Sequence, residues 1–327
     1  MEILDKLNGI AKLNKLGHKK IPFVFIISYD MNKIIAEPIS DINPNKLKYQ
    51  FGNTRNFIQS KDRLISKVIF ESKPIDFNEY LEKFEKVQKH LKNGDTYLLN
   101  LTCQTPIQTN LSLSEIFNFT ESDFKILLTD EFVSFSPELF VRIEDNAISS
   151  FPMKGTIDAN VRNAEDQLIA DQKELAEHFT IVDLIRNDLS MVAKNVRVCI
   201  FRYIDKIATN DKTILQTSSH IEGKLKDDWY INIGNIFEKL LPAGSITGAP
   251  KRKTIEIIDL IENYNRNFYT GIAGIFDGNN LESYVLIRFI EKQNDKLIYK
   301  SGGGITTQSN PQTEYQELND KIYVPIF

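Results

Sequence analysis

Lys296-Leu297-Ile298-Tyr299-Lys300-Ser301-Gly302-Gly303-Gly304-Ile305 runs into Ser309-Asn310-Pro311 and then Glu314-Tyr315-Gln316-Glu317-Leu318-Asn319-Asp320-Lys321. Branched and aromatic side chains predict a strand over Lys296–Ser301. Three glycines after it let bare backbone N–H groups come close to an anion. Asn310 supplies an N-cap, with Pro311 at the first helical position, so a helix is predicted over Pro311–Lys321. Glu314 and Glu317, three residues apart, share a face of that helix, and Lys321 lies one turn beyond.

Upstream, Lys173-Glu174-Leu175-Ala176-Glu177-His178 repeats the same carboxylate spacing inside a helical stretch predicted over Asn163–Ala193. Paired like charges repel, and a cation between them relieves the repulsion. Hard oxygen ligands on two facing helices suit Mg²⁺. Taken alone, either pair is equally a solvated acidic face.

Strand-like runs are read at Ile21–Tyr29 with Lys33–Glu37 as hairpin partner, then at Thr96–Thr105, Glu131–Phe135, Leu139–Ile143 and Ala147–Phe151. Others follow at Asn195–Tyr203, Thr213–Leu225, Phe268–Phe276 and Leu281–Glu291. Phe77, Leu81, Phe84 and Leu91 fall at helical spacing, and Asn93-Gly94 supplies the left-handed stop. Further helices are read near Ile231–Leu240 and Pro250–Glu262. Strand clusters punctuated by helices, without strict βαβ alternation, predict an α+β fold with large, mainly antiparallel sheets flanked by helices. No internal boundary is visible, so residues 1–327 are read as a single domain.

Composition excludes several classes. The 327 residues are 42% hydrophobic, with 40 Lys+Arg against 44 Asp+Glu. A large core is affordable, disorder is not indicated, and no basic block suggests nucleic acid. Cys103 and Cys199 cannot form a disulfide framework, and both are expected in the core of their strands. An acidic start, Met1-Glu2-Ile3-Leu4-Asp5, and the shortness of the Ile21–Ile27 apolar run predict a cytoplasmic protein without a membrane span.

Five further segments offer chemistry. Gly244-Ser245-Ile246-Thr247-Gly248-Ala249-Pro250-Lys251 fails the phosphate-loop spacing and leaves only a glycine turn into a helix. Arg288, in the apolar run Tyr284–Ile290, needs either an internal carboxylate or an acidic ligand. Asp183, Arg186 and Asp188 are read as a structural ion network. Lys154, in Pro152-Met153-Lys154-Gly155-Thr156, becomes a nucleophile only if its amine is freed. Glu138, in Ser136-Pro137-Glu138, opens a hairpin leading to it, placing an acid and an amine on neighbouring strands.

Taken in order, these motifs, together with Tyr269-x-Gly271, resemble the chorismate-utilising enzymes, a resemblance running from about Thr96 to Lys321. It implies the fold of that family and assigns roles. Glu177 and Glu317 match Mg²⁺ ligands, with Glu174 and Glu314 reaching the ion largely through water. Tyr269, Arg288 and Gly302, Gly303 and Gly304 match the groups that hold the enolpyruvyl carboxylate of chorismate. Thr247 and Lys321 match residues lining the same pocket. Glu138 matches the acid that protonates the departing C4 hydroxyl.

Within the family, Pro-x-Lys-Gly-Thr looks like the large component of aminodeoxychorismate synthase. There the lysine attacks C2 of chorismate as the C4 hydroxyl leaves, and ammonia then adds at C4 and expels the lysine from C2. Water-using members carry a lysine base where this chain has Leu98, so hydration is disfavoured. Gln216 stands where many members have histidine, and the segment at Glu282 and Ser283 is one residue short. The N-terminal region, about residues 1–75, is also short, and no tryptophan site is expected. The resemblance implies ammonia from a separate glutamine amidotransferase, a place in the folate branch, and a separate lyase for 4-aminobenzoate release. The alternatives are anthranilate synthase component I and a catalytically silent chorismate-binding subunit.

Overall fold

The computed structural model describes residues 1–58, 67–208 and 213–325. Phe23–Ile27 shows how the layers arise. It is buried at every position, and its alternate side chains belong to different cores. Phe23, Phe25 and Ile27 pack toward the helices Lys6–His18 and Ile233–Leu240. Val24 and Ile26 pack against Leu47, Phe124 and Phe289 of a second sheet. Period-two geometry makes an unbroken apolar run necessary for a strand covered on both faces.

Among the described residues each sheet has nine strands. The first runs in the order Met153–Asp158, Thr213–Lys224, Ala147–Ser150, Leu139–Glu144, Leu281–Val285, Ile272–Phe276, Phe23–Ile27 and Ile34–Pro38, with Lys194–Ala208 also paired to Thr213–Lys224. The second contains Leu98–Thr109 beside Lys296–Ile305, then Phe289–Gln293, Phe132–Ser134, Phe124–Leu128 and Leu47–Phe51. Every named pairing in both sheets is antiparallel, such as Gly303 opposite Leu101. Helices Phe77–Lys92 and Lys251–Glu262 cover the outer face of the second sheet over Leu99, Leu101 and Ile305. The layers are helix, sheet, sheet and helix, the α+β arrangement expected. Among the described residues no helix is long and apolar enough to cross a membrane.

Three expected elements change. The helix over 163–193 is two helices, Ala164–Ala170 and Gln172–Ser190, broken at Asp171. The extended Asp171 accepts the Glu174 N–H at 3.0 Å and caps the second helix. The run Leu281–Glu291 is cut in two: Leu281–Val285 lies in the first sheet and Phe289–Gln293 in the second. Arg288 occupies the crossing, with a left-handed φ of 49°, so it is not inside a strand. The glycine run does not follow a strand but continues one, Lys296–Ile305.

A buried ion pair ties the second sheet to the loops beside it. Arg266 meets both oxygens of Glu262, at 2.8 and 2.6 Å, and both side chains are 1% exposed. The guanidinium also donates to the carbonyls of Asn100 at 2.8 Å and Ile246 at 3.0 Å, while Glu262 accepts the Thr102 N–H at 2.8 Å. Removing one partner leaves an uncompensated buried charge. Arg266→Ala should therefore lower the unfolding free energy by about 3–5 kcal/mol in urea melts followed by Trp229 fluorescence. A loss below about 1 kcal/mol would show that the pair is not a structural clamp.

Candidate active site

A cavity of about 590 Å³ lies between the two sheets, beside the helix Gln172–Ser190 and the C-terminal end of the helix Pro311–Asp320. Glu138, Lys154, Glu174, Glu177, Tyr269, Arg288, Gly302, Gly303, Gly304, Glu317 and Lys321 all line it. Residues separated by up to 183 positions in sequence, Glu138 and Lys321, are thus brought to one wall.

Lys154 reaches the cavity from Met153–Asp158, where the register slips between Lys154 and Thr156. Gly155 supplies the left-handed backbone, φ 74°, for that bulge. A β-carbon there would also crowd Glu174 Oε2 at 3.1 Å. The Thr217 hydroxyl donates to the Lys154 carbonyl and fixes the bulge from the paired strand. Lys154 Nζ lies 2.7 Å from Glu177 Oε2. Burial works against its ammonium, but the Glu177, Glu174 and Glu317 carboxylates outweigh burial and hold its pKa above the usual lysine value.

Glu138 immediately precedes a different strand, Leu139–Glu144. Met153–Asp158 continues the line of Ala147–Ser150 along Thr213–Lys224, and Leu139–Glu144 pairs with Ala147–Ser150. The acid and the amine therefore share the cavity although, among the described residues, their own strands do not pair, which corrects the neighbouring-strand reading. Ser245 Oγ donates to Glu138 Oε1 at 2.7 Å. Burial pushes the Glu138 carboxyl up, and the Ser245 bond, Arg288 and Lys321 oppose this only in part. That environment favours a carboxylic acid with a proton to give.

The other groups divide the cavity by charge. Past Phe289, which pairs with Lys300, the named pairings of the glycine run are all with Leu98–Thr109. Gly302, Gly303 and Gly304 all line the cavity. A β-carbon on Gly303 would sit 3.7 Å from Glu314 Oε2 and 3.8 Å from Lys321 Nζ. Lys321 Nζ binds Glu317 at 2.7 Å and the Gly302 carbonyl at 2.9 Å. Arg288 Nε donates to the Tyr323 hydroxyl at 3.3 Å, and no ion pair joins it to a carboxylate among the described residues. Leu98 and Gln216 also line the cavity.

Some sequence-derived candidates lie elsewhere. Thr247 is fully buried and donates to the Ala243 carbonyl at 2.8 Å. The wall residue from its loop is Ser245, which the glycine-turn reading passed over. Glu314 is buried behind the glycine run. Asp183 and Arg186 form an exposed pair at 2.7 Å, separate from the buried contact of Asp188 with Lys251 at 3.0 Å. They are not one network. Cys103 is buried, but Cys199 is exposed, so only one cysteine is a core residue.

The donor set fits a hard dication in its chemistry. Glu174, Glu177, Glu314 and Glu317 offer only carboxylate oxygens from two helices, and three of them act together on the Lys154 ammonium, where positive charge is already held. His178, next to Glu177, instead bonds Ser219 Oγ at 2.6 Å; burial, with Arg202 and Lys154, pushes its pKa down to about 4, so it stays neutral.

Residues 58–326 match the model of the chorismate binding enzyme family. A PabA-like protein of Haemophilus influenzae is 48% identical over 97% of this chain and 96% of its own length. Aminodeoxychorismate synthase component 1 of Bacillus subtilis is 32% identical over 76% of this chain and 55% of its own. The menaquinone-specific isochorismate synthase of Escherichia coli superposes with a TM-score of 0.75 at 16% identity, covering 98% of this chain and 82% of that one, and so shares the fold. With its family motifs gathered around one cavity between antiparallel sheets, this chain belongs to the chorismate-binding enzymes.

Proposed function

We propose that this enzyme aminates chorismate to 4-amino-4-deoxychorismate, in the folate branch, with ammonia from a separate glutamine amidotransferase. The observation that carries the reading is Lys154: an amine in the cavity wall, carried on a bulged strand, sharing the cavity with Glu138, whose carboxyl burial pushes up. Similarity to the Bacillus subtilis aminodeoxychorismate synthase component supports it.

Chorismate carries two carboxylates, and the cavity offers two places for them. Arg288, Tyr269 and the open edge of the glycine run suit the enolpyruvyl carboxylate. Mg²⁺ held at Glu177 and Glu317, with Glu174 and the buried Glu314 acting largely through water, would supply the charge that anchors the ring carboxylate. Glu138 gives its proton to the C4 hydroxyl as that bond breaks. With the carboxylates that hold it also engaged by Mg²⁺, the Lys154 ammonium would release its proton to solvent, and the freed amine forms a bond to C2 as the ring double bond shifts. Ammonia then bonds to C4, the double bond shifts back, and the lysine leaves from C2 to regenerate the enzyme. Dividing the substitution between two displacements keeps the amine at C4. Leu98 offers no base to activate water in its place.

Incubation with chorismate, Mg²⁺ and ammonium should yield 4-amino-4-deoxychorismate by mass spectrometry, passing to 4-aminobenzoate only when a lyase is added. Fluorescent anthranilate formed without a lyase would overturn the assignment, and tight chorismate binding without any turnover would point to a silent subunit. Intact-mass analysis of quenched wild-type protein should show a chorismate-derived adduct that Lys154→Ala lacks; no adduct in the wild type would remove the covalent route. Glu138→Gln should slow turnover by roughly 10²–10⁴-fold while chorismate affinity stays near wild type, because only proton donation is lost. A variant at full speed would show that another group protonates the hydroxyl.

A further inference from the structure

Outside the cavity, the edge hairpin Lys194–Ala208/Thr213–Lys224 gathers three different ligand types. One ligand atom each from Cys199, His220 and Glu222 lies within 4.8 Å of the other two. The register explains the grouping. Val198 pairs with Ile221 and Ile200 pairs with His220, so Cys199 is the extra residue of a bulge opposite His220. Glu222 lies two residues from His220 on the same strand and shares its face.

The imidazole is already oriented. His220 Nε2 is 3.1 Å from Ser149 Oγ, and its ring stacks on Phe151 at 4.7 Å with an interplanar angle of 12°. With Nε2–H donating to the hydroxyl, Nδ1 carries the free lone pair, the arrangement that fixes a metal-binding histidine from behind. A cation already uses the cluster: Arg197 bonds Glu222 at 3.3 Å and also Cys199. Its side chain is 72% exposed, so it can swing into water and vacate the place.

We propose that Cys199, His220 and Glu222 form a surface site for Zn²⁺, separate from the carboxylate cavity, with water completing a tetrahedron. Sulfur, nitrogen and carboxylate oxygen together select a borderline-soft ion over Mg²⁺. Binding releases the Cys199 thiol proton to solvent and displaces Arg197.

Cobalt(II) reads the site, because only a thiolate ligand gives an intense near-ultraviolet sulfur-to-cobalt band. Chelator-stripped, reduced protein in excess Mg²⁺ should develop that band, saturating at one cobalt per chain, and one equivalent of Zn²⁺ should bleach it. Cys199→Ser should abolish the band with an unchanged far-ultraviolet circular dichroism spectrum, while Glu177→Gln should keep it. Ser149→Ala should weaken Zn²⁺ binding by about 10-fold or more through loss of the partner behind His220. No band in folded wild-type protein, or a band that survives Cys199→Ser, would overturn the site.

Discussion

Burial of a guanidinium with its carboxylate governs how the cavity is held. Arg266 and Glu262 are both out of water, and a charge in that position is tolerated only when every donor finds an acceptor. Here the acceptors are Asn100, Ile246 and Thr270, with Thr102 closing the set through its N–H. Those residues are not scattered. Asn100 and Thr102 pair directly with Gly304 and Gly302, and Ile246 follows Ser245, the residue that bonds Glu138. The clamp therefore sets both the floor beneath the glycine run and the hydroxyl that holds the acid, although neither charged group lines the cavity.

The charges inside the cavity are kept in zones by the same economy of pairing. Lys154 faces Glu177 and Lys321 faces Glu317, each at 2.7 Å. Glu138 stands apart from the other carboxylates, with a neutral hydroxyl as its bonded partner. Had Glu138 faced a lysine at the same range, the attraction would favour its carboxylate form and remove the proton the proposed reaction requires. Arg288 is placed by topology instead of by an ion pair. It sits where the chain leaves the first sheet for the second, and its left-handed backbone turns it there.

Much of this was legible from residue order. Short-range signals held well: Asn310 caps the last helix through the N–H groups of Gln312 and Thr313, and the Phe77–Lys92 helix stops before Gly94 at φ 77°. The break at Asp171 was missed because the apolar spacing continues across it, although aspartate is itself a capping residue. The helix Leu113–Phe119 also went unread, despite the Ser112–Glu115 capping box that starts it. The split at Val285–Phe289 had no local signal. One apolar run serves two sheets, and period alone does not say where a strand changes partners. Thr247 went astray for a related reason: a motif fixes which loop approaches a site, while the backbone turn decides whether Ser245 or Thr247 faces in.

Ligand chemistry separates the two proposed cation sites. The cavity offers carboxylates alone, the donor type to which Mg²⁺ binds with retained waters. The hairpin offers sulfur, imidazole and carboxylate on an exposed bulge. Zn²⁺ would outcompete Mg²⁺ at either set by intrinsic affinity, so the proposed Mg²⁺ site would rely on the greater supply of Mg²⁺ and on its waters being accommodated. The outer site has the opposite logic, since a thiolate contributes little to a hard ion. Cys103 cannot blur the distinction: burial pushes its thiol up to about 12, so it stays protonated in the core. Of the two cysteines in the chain, only Cys199 stands where a metal can reach it.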